Sequence, residues 1–215
     1  MKYEEARFRL TGIAPILGSV ALDEDTYVKY IAPKAETDEE KAKAAEDAGM
    51  LGCDDDEENS KPKVTGFYKD PVSGAPQMMA YQVRGFLKSA GKALASQLSI
   101  AAPASKIDNF VFVTERYIPF KDSNGNVVTK TDGILSRSLR AETMRGPRVG
   151  LAFSEKIDDW SIEFTVRVLE NSGTKKSVPI TMDVVRELLE YGQHCGMLQW
   201  RNGGYGAFTF EEIPM

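Results

Sequence analysis

Trp160-Ser161-Ile162-Glu163-Phe164-Thr165-Val166-Arg167-Val168-Leu169 is the most regular stretch of the chain. Trp160, Ile162, Phe164, Val166 and Val168 take one side of a two-residue repeat. Ser161, Glu163, Thr165 and Arg167 take the other, the pattern of a strand with one buried and one polar face. Near the start of the chain, between Tyr3 and Ile13, Ala6, Phe8 and Leu10 alternate with Glu5, Arg7 and Arg9 in the same way. A last strand is expected from 207 to 213.

Between these strands the period changes. Val83, Phe86, Leu87, Ala90, Leu94 and Leu98 recur at helical spacing, and Arg84, Lys88 and Lys92 follow at i, i+4 and i+8 on another face. Thr181 is placed to cap a second helix running to Tyr191. Val184, Val185, Leu188 and Leu189 would face inward there, with Ile180 stapled onto Val185. From 107 to 120 the run Phe110-Val111-Phe112-Val113 predicts a buried strand that ends at Pro119, followed by a turn at Ser123-Asn124-Gly125-Asn126. Residues 133–147 read as irregular and basic, and 149–153 as a short strand.

The resulting order is strand, helix, strand, strand, helix, strand. This predicts an α+β fold, a ferredoxin-like (RRM-like) βαββαβ antiparallel sheet with two covering helices and one open face. An acidic insertion follows the first strand and a basic excursion lies in the middle. The expected organisation is one domain over 1–215, with the insertion at 23–62.

The chain has 215 residues, 42% hydrophobic and 27% charged, which excludes disorder throughout. It contains no apolar run near the roughly 20 residues of a membrane span, and Met1-Lys2-Tyr3-Glu4-Glu5 is not a signal peptide, so a cytoplasmic protein is expected. Cys53 and Cys195 are far apart, and His194 is the only histidine. Neither a disulfide framework nor a cysteine zinc site is indicated, and histidine-rich metal sites and paired-histidine catalysis are excluded. No cofactor is called for. The net charge of −5 is unevenly spread: residues 23–60 hold 14 acids against four lysines, leaving +5 on the remainder.

Gly196-Met197-Leu198-Gln199-Trp200-Arg201-Asn202-Gly203-Gly204-Tyr205-Gly206-Ala207-Phe208 lies between the second helix and the last strand. Glycines at this density let a backbone approach a ligand and present N–H groups to phosphate, while Trp200, Arg201 and Tyr205 add stacking faces and a cation. The same residues also fit a glycine-rich turn with Trp200 capping the core. Lys130, Arg137, Arg140, Arg145 and Arg148 lie within 19 residues that include only Asp132 and Glu142, a density suited to phosphate as well as to a solvated loop. His194, as a lone general base, would support cleavage at a ribose hydroxyl, but it is also an ordinary helix-end residue. Asp54 to Glu58 lacks spaced ligand geometry and reads as a flexible acidic tip more than as a metal site.

The segment ending Gly204-Tyr205-Gly206-Ala207-Phe208 resembles the C-terminal glycine-rich loop of the RAMP superfamily of CRISPR-associated RNA-binding proteins. Arg9-Leu10-Thr11-Gly12-Ile13-Ala14-Pro15-Ile16-Leu17-Gly18-Ser19 resembles the family's first strand and turn, with Leu17 where the family has histidine. Tyr81-Gln82-Val83-Arg84-Gly85-Phe86-Leu87-Lys88 resembles its first helix start, without the paired serines and proline. Together these cover some 50 residues, in the family's order. The pattern that includes Met144-Arg145-Gly146-Pro147-Arg148-Val149 also resembles phage and prophage proteins of low-GC Gram-positive bacteria.

The resemblance implies a non-enzymatic, phage-encoded protein that binds RNA, or single-stranded DNA, through the backbone. It also implies self-association along nucleic acid or contact with CRISPR-type subunits. The expected contact residues are Arg84, Lys88, Lys92, Arg137, Arg140, Arg145, Arg148, Trp200, Arg201, Asn202, Gly203, Gly204 and Tyr205. Two alternatives stay open: an endoribonuclease using His194, and an interaction protein that engages or imitates a host CRISPR complex.

Overall fold

The computed structural model describes residues 1–22, 64–143, 146–171 and 178–215, with the backbone alone over 139–150. The acidic insertion at 23–62, Cys53 and Arg145 fall outside the described residues. In chain order the strands are β1 (Tyr3–Gly12), β2 (Ile16–Leu17), β3 (Val20–Ala21), β4 (Val64–Gly66), β5 (Tyr68–Lys69) and β6 (Pro76–Met79). Helices α1 (Ala80–Leu94) and α2 (Pro103–Phe110) follow, then β7 (Val111–Val113), β8 (Tyr117–Pro119), β9 (Gly133–Thr143), β10 (Gly146–Ile157) and β11 (Ser161–Leu169). The chain ends with α3 (Met182–Glu190) and β12 (Phe208–Ile213). It is a mixed α+β protein whose elements group into two compact units, residues 17–68 with 130–157 and the remainder.

The larger unit is built on a four-stranded sheet in the order β12-β1-β11-β7. Every neighbouring pair is antiparallel, with Phe8 opposite Phe164 and Leu10 opposite both Ile162 and Phe210. The two-residue repeat read in β1 and β11 becomes a buried face: Phe8, Leu10, Ile162, Phe164 and Val166 are fully covered. Helices α1 and α3 supply the cover. Val83, Phe86, Leu87 and Ala90 from α1, and Val185, Leu188 and Leu189 from α3, are buried. Phe86 meets Phe208 edge-on at 5.1 Å. Burying each of the larger of these side chains contributes about 1.5–3 kcal/mol.

Local chemistry sets the helix ends. Gln82 accepts a hydrogen bond from the Met79 N–H at 2.9 Å, half of a capping box. Thr181 accepts from the Val184 N–H, the cap expected from the sequence. α1 ends at Leu94, one turn short of the sequence reading, and Leu94 and Leu98 are only half-buried.

Two sequence expectations are corrected. The stretch from 107 to 120 is not one buried strand. Pro103 opens α2, where its missing N–H costs nothing, and only Val111–Val113 pairs in the sheet. Alternation along β7 turns Val111 to the covered face and Phe112, opposite Arg167, to the open face, where it is 38% exposed. Among the described residues a third helix therefore joins the two that were expected over the sheet.

The basic stretch at 133–147 is not irregular either. In the smaller unit β9 and β10 pair in continuous antiparallel register from Gly133 opposite Lys156 to Thr143 opposite Gly146. Neither strand alternates cleanly in sequence; the cross-strand ladder supplies the order that periodicity lacks. At its other end β10 runs parallel to β4, where Ser154 Oγ is buried and donates to the Gly18 carbonyl at 2.7 Å.

Candidate nucleic-acid interface

In the larger unit the glycine-rich segment folds back onto the first turn. The Gly206 N–H donates to the Pro15 carbonyl at 2.8 Å, and the Ile13 N–H donates to the Ala207 carbonyl at 2.9 Å. The Met197 N–H closes the base of the loop on the Gly206 carbonyl at 3.1 Å. Gly206 has φ +66°, and a Cβ there would lie on the Met197 carbonyl. Beneath the turn the Trp160 indole donates to the Ala14 carbonyl at 2.9 Å and lies against Gly12. The three segments that carry the sequence resemblance therefore meet: residues 13–15 bond to 206–207, and Phe86 of α1 packs on Phe208.

The glycines divide into two kinds. Gly196 and Gly206 are buried and packed against backbone. Gly203 and Gly204 are exposed, and Gly204 has φ +86° with no atom within 4 Å of where a Cβ would sit. Their amides are used within the turn, Gly203 donating to Trp200 O at 2.7 Å and Gly204 to Arg201 O at 3.1 Å. What the tip presents is side chains. Trp200 and Tyr205 stand edge-to-face at 6.1 Å, Arg201 is half-exposed and Asn202 is exposed. Cys195 Sγ approaches Asn202 Oδ1 at 4.0 Å, and His194 is exposed at the end of the helical segment.

The cations of α1 have different surroundings. Arg84 and Lys88 both pair with Asp108 of α2, at 3.2 and 3.1 Å, so they brace the two helices. Arg84 also lies over the Phe112 ring at 5.8 Å. Lys92 is exposed. In the smaller unit Arg137 is exposed on β9 opposite Ala152; Arg140 stands opposite Val149 and Arg148 opposite Ala141.

The open face of the four-stranded sheet carries groups that the sequence reading did not single out. Glu163, 11% exposed, receives Arg7 at 3.1 Å, Arg9 at 2.9 Å and Lys121 at 3.0 Å, and Arg9 reaches on to Glu211. Burial pushes the Glu163 carboxyl up, but hydrogen bonds and charge from Lys121 and Arg9 outweigh it and hold the carboxyl below its ordinary value. Farther along the same face Arg167 bonds to Glu5 at 3.1 Å and lies 4.4 Å from the centre of the Tyr3 ring. The signal was present in the outward positions of β1 and β11; which of them become neighbours depends on strand register.

Among the described residues no group of three histidine, cysteine, aspartate or glutamate side chains is placed to hold a metal, and no helix is long and apolar enough to cross a membrane.

The fold and these surfaces define the class only as a mixed α+β protein. No family model matches the chain, and no curated protein matches it. Among solved structures it is similar to a chain of a cryo-EM structure described as the Type III-B Cmr-beta bound to cognate target RNA. The identity is 11% and the TM-score 0.45, over 99% of this chain and 60% of that one.

Proposed function

We propose that this protein is a RAMP-like, ferredoxin-like RNA-binding protein that works without catalysis and contacts RNA mainly through the phosphate backbone. One observation carries the reading. The three segments with RAMP-like sequence lie apart in the chain yet meet around one turn, beside which Trp200, Arg201 and Tyr205 stand half-exposed. The sheet order β12-β1-β11-β7, with α1 after the first strand and α3 after the third, supports the ferredoxin-like part. Arg201 at the loop and the arginines of the basic stretch are cations suited to phosphate. Contact with CRISPR-type subunits and a phage origin belong to the same proposal and rest on the sequence resemblance.

The test is fluorescence anisotropy of a single-stranded RNA across a salt series. Each phosphate contact on a single strand adds about 0.7 to the logarithmic salt slope. Arg201→Ala is expected to lower the slope by about 0.7, and Arg145→Ala with Arg148→Ala by roughly 1.4. Folded variants that keep the wild-type affinity and slope would overturn the reading, as would a wild type that binds nothing at low salt.

A further inference from the structure

Beyond the loop, the open sheet face ends in a groove of about 520 Å³ lined by Tyr3, Phe112, Thr114, Arg167 and Leu169, together with Met1. This is within the range of about 300–1,000 Å³ typical of small-molecule sites. Two exposed rings border it, Tyr3 at 52% and Phe112 at 38%. They sit on strands separated by β11, and the register that puts Arg167 opposite both Glu5 and Phe112 places a guanidinium between them. Arg167 is already engaged with the Tyr3 ring, and both its hydrogen bonds to Glu5 leave from Nη2. Its charge is therefore balanced, while Nη1 keeps donor capacity.

We propose that this groove is a stacking site for one nucleobase of a single-stranded nucleic acid, an inference that rests on the RNA-binding reading above. The chemistry selects that occupant. Each ring already has a guanidinium near it, Arg167 at Tyr3 and Arg84 at Phe112, and its remaining exposed surface accepts a flat π-system, while Nη1 of Arg167 favours a planar ring whose edge carries carbonyl or ring-nitrogen acceptors. An aliphatic side chain would satisfy the apolar lining and leave those donors unused. A free phosphate would find Arg167, the cationic side chain of the lining, already paired with Glu5.

The experiment uses the full chain and two 12-nucleotide RNAs of equal charge, an oligouridine and an abasic strand, followed by anisotropy. Wild type is expected to prefer the strand with bases. Tyr3→Ala and Phe112→Ala should each weaken oligouridine binding by roughly 5- to 150-fold, the equivalent of about 1–3 kcal/mol per stacked base, without changing the salt slope or abasic binding. Tyr3→Phe should restore the wild-type value. If wild type binds RNA but shows no preference for bases, or if folded Tyr3→Ala matches it, the stacking site is overturned while the RNA-binding reading stands. If wild type binds neither strand, both fall. Thermal melts check each variant, and should Phe112→Ala fail to fold, Tyr3→Ala alone decides.

Discussion

Replacing Gly206 and Gly204 by alanine separates a glycine that builds the loop from one that only turns it. At Gly206 the backbone sits at φ +66°, and the added methyl would fall on the Met197 carbonyl, whose own residue is bonded to Gly206. A left-handed conformation costs an alanine about 1–2 kcal/mol. Forcing a methyl into packed backbone adds about 1–3 kcal/mol. With about 0.4–1 kcal/mol returned by the stiffer unfolded chain, Gly206→Ala is thus expected to lose about 1–4.5 kcal/mol and to strain the Gly206–Pro15 bond that ties the loop to the first turn. Gly204 has φ +86° but open space around it, so Gly204→Ala carries the conformational cost alone. With the same offset from the unfolded chain, about 1 kcal/mol or less remains. Urea unfolding at matched m-value measures both. If Gly204→Ala costs as much as Gly206→Ala, the loop is not anchored through Gly206 and the convergence of the RAMP-like segments is misread.

Two further outcomes test the charge network and the proposal that the protein works without catalysis. The folded-state pKa of Glu163 lies below its unfolded value, so its contribution to stability is present above the ordinary carboxylate pKa and is lost as pH falls through the folded value. Glu163→Gln should therefore cost about 1–2 kcal/mol near neutrality, a figure discounted for the exposure of Arg7 and Arg9, and flatten the acid limb of the stability curve; a stability difference from wild type that stays constant between about pH 7 and pH 3 would refute this. His194→Ala should leave any RNA cleavage by the purified protein unchanged, and a loss of about 10²–10⁴ in rate would instead favour an endoribonuclease.

The parts of the fold written in period were readable directly. β1, β11, α1 and α3 each show a clean two-residue or helical repeat over nine or more residues, because one face must leave water and the other must not. Thr181 marked its helix end for the same local reason. The candidate loop was legible too, as glycines and aromatics between a helix and a strand. What stayed hidden depends on residues far apart in the chain. α2 has a single buried residue, Ile107, so little periodicity announces it. β9 and β10 draw their regularity from each other, and Phe112 reads as core until register places it beside Arg167 on the open face.

The sequence by itself determined which faces are apolar, where the charge is concentrated and which short segments look RAMP-like, since these are properties of neighbouring residues. Only the tertiary structure decided that residues 13–15 and 206–207 share a turn, that Arg84 and Lys88 share Asp108, and that Tyr3, Arg167 and Phe112 border one groove. Register is the physical reason: shifting a strand by one residue reverses every side chain, and no local pattern records which strand lies alongside.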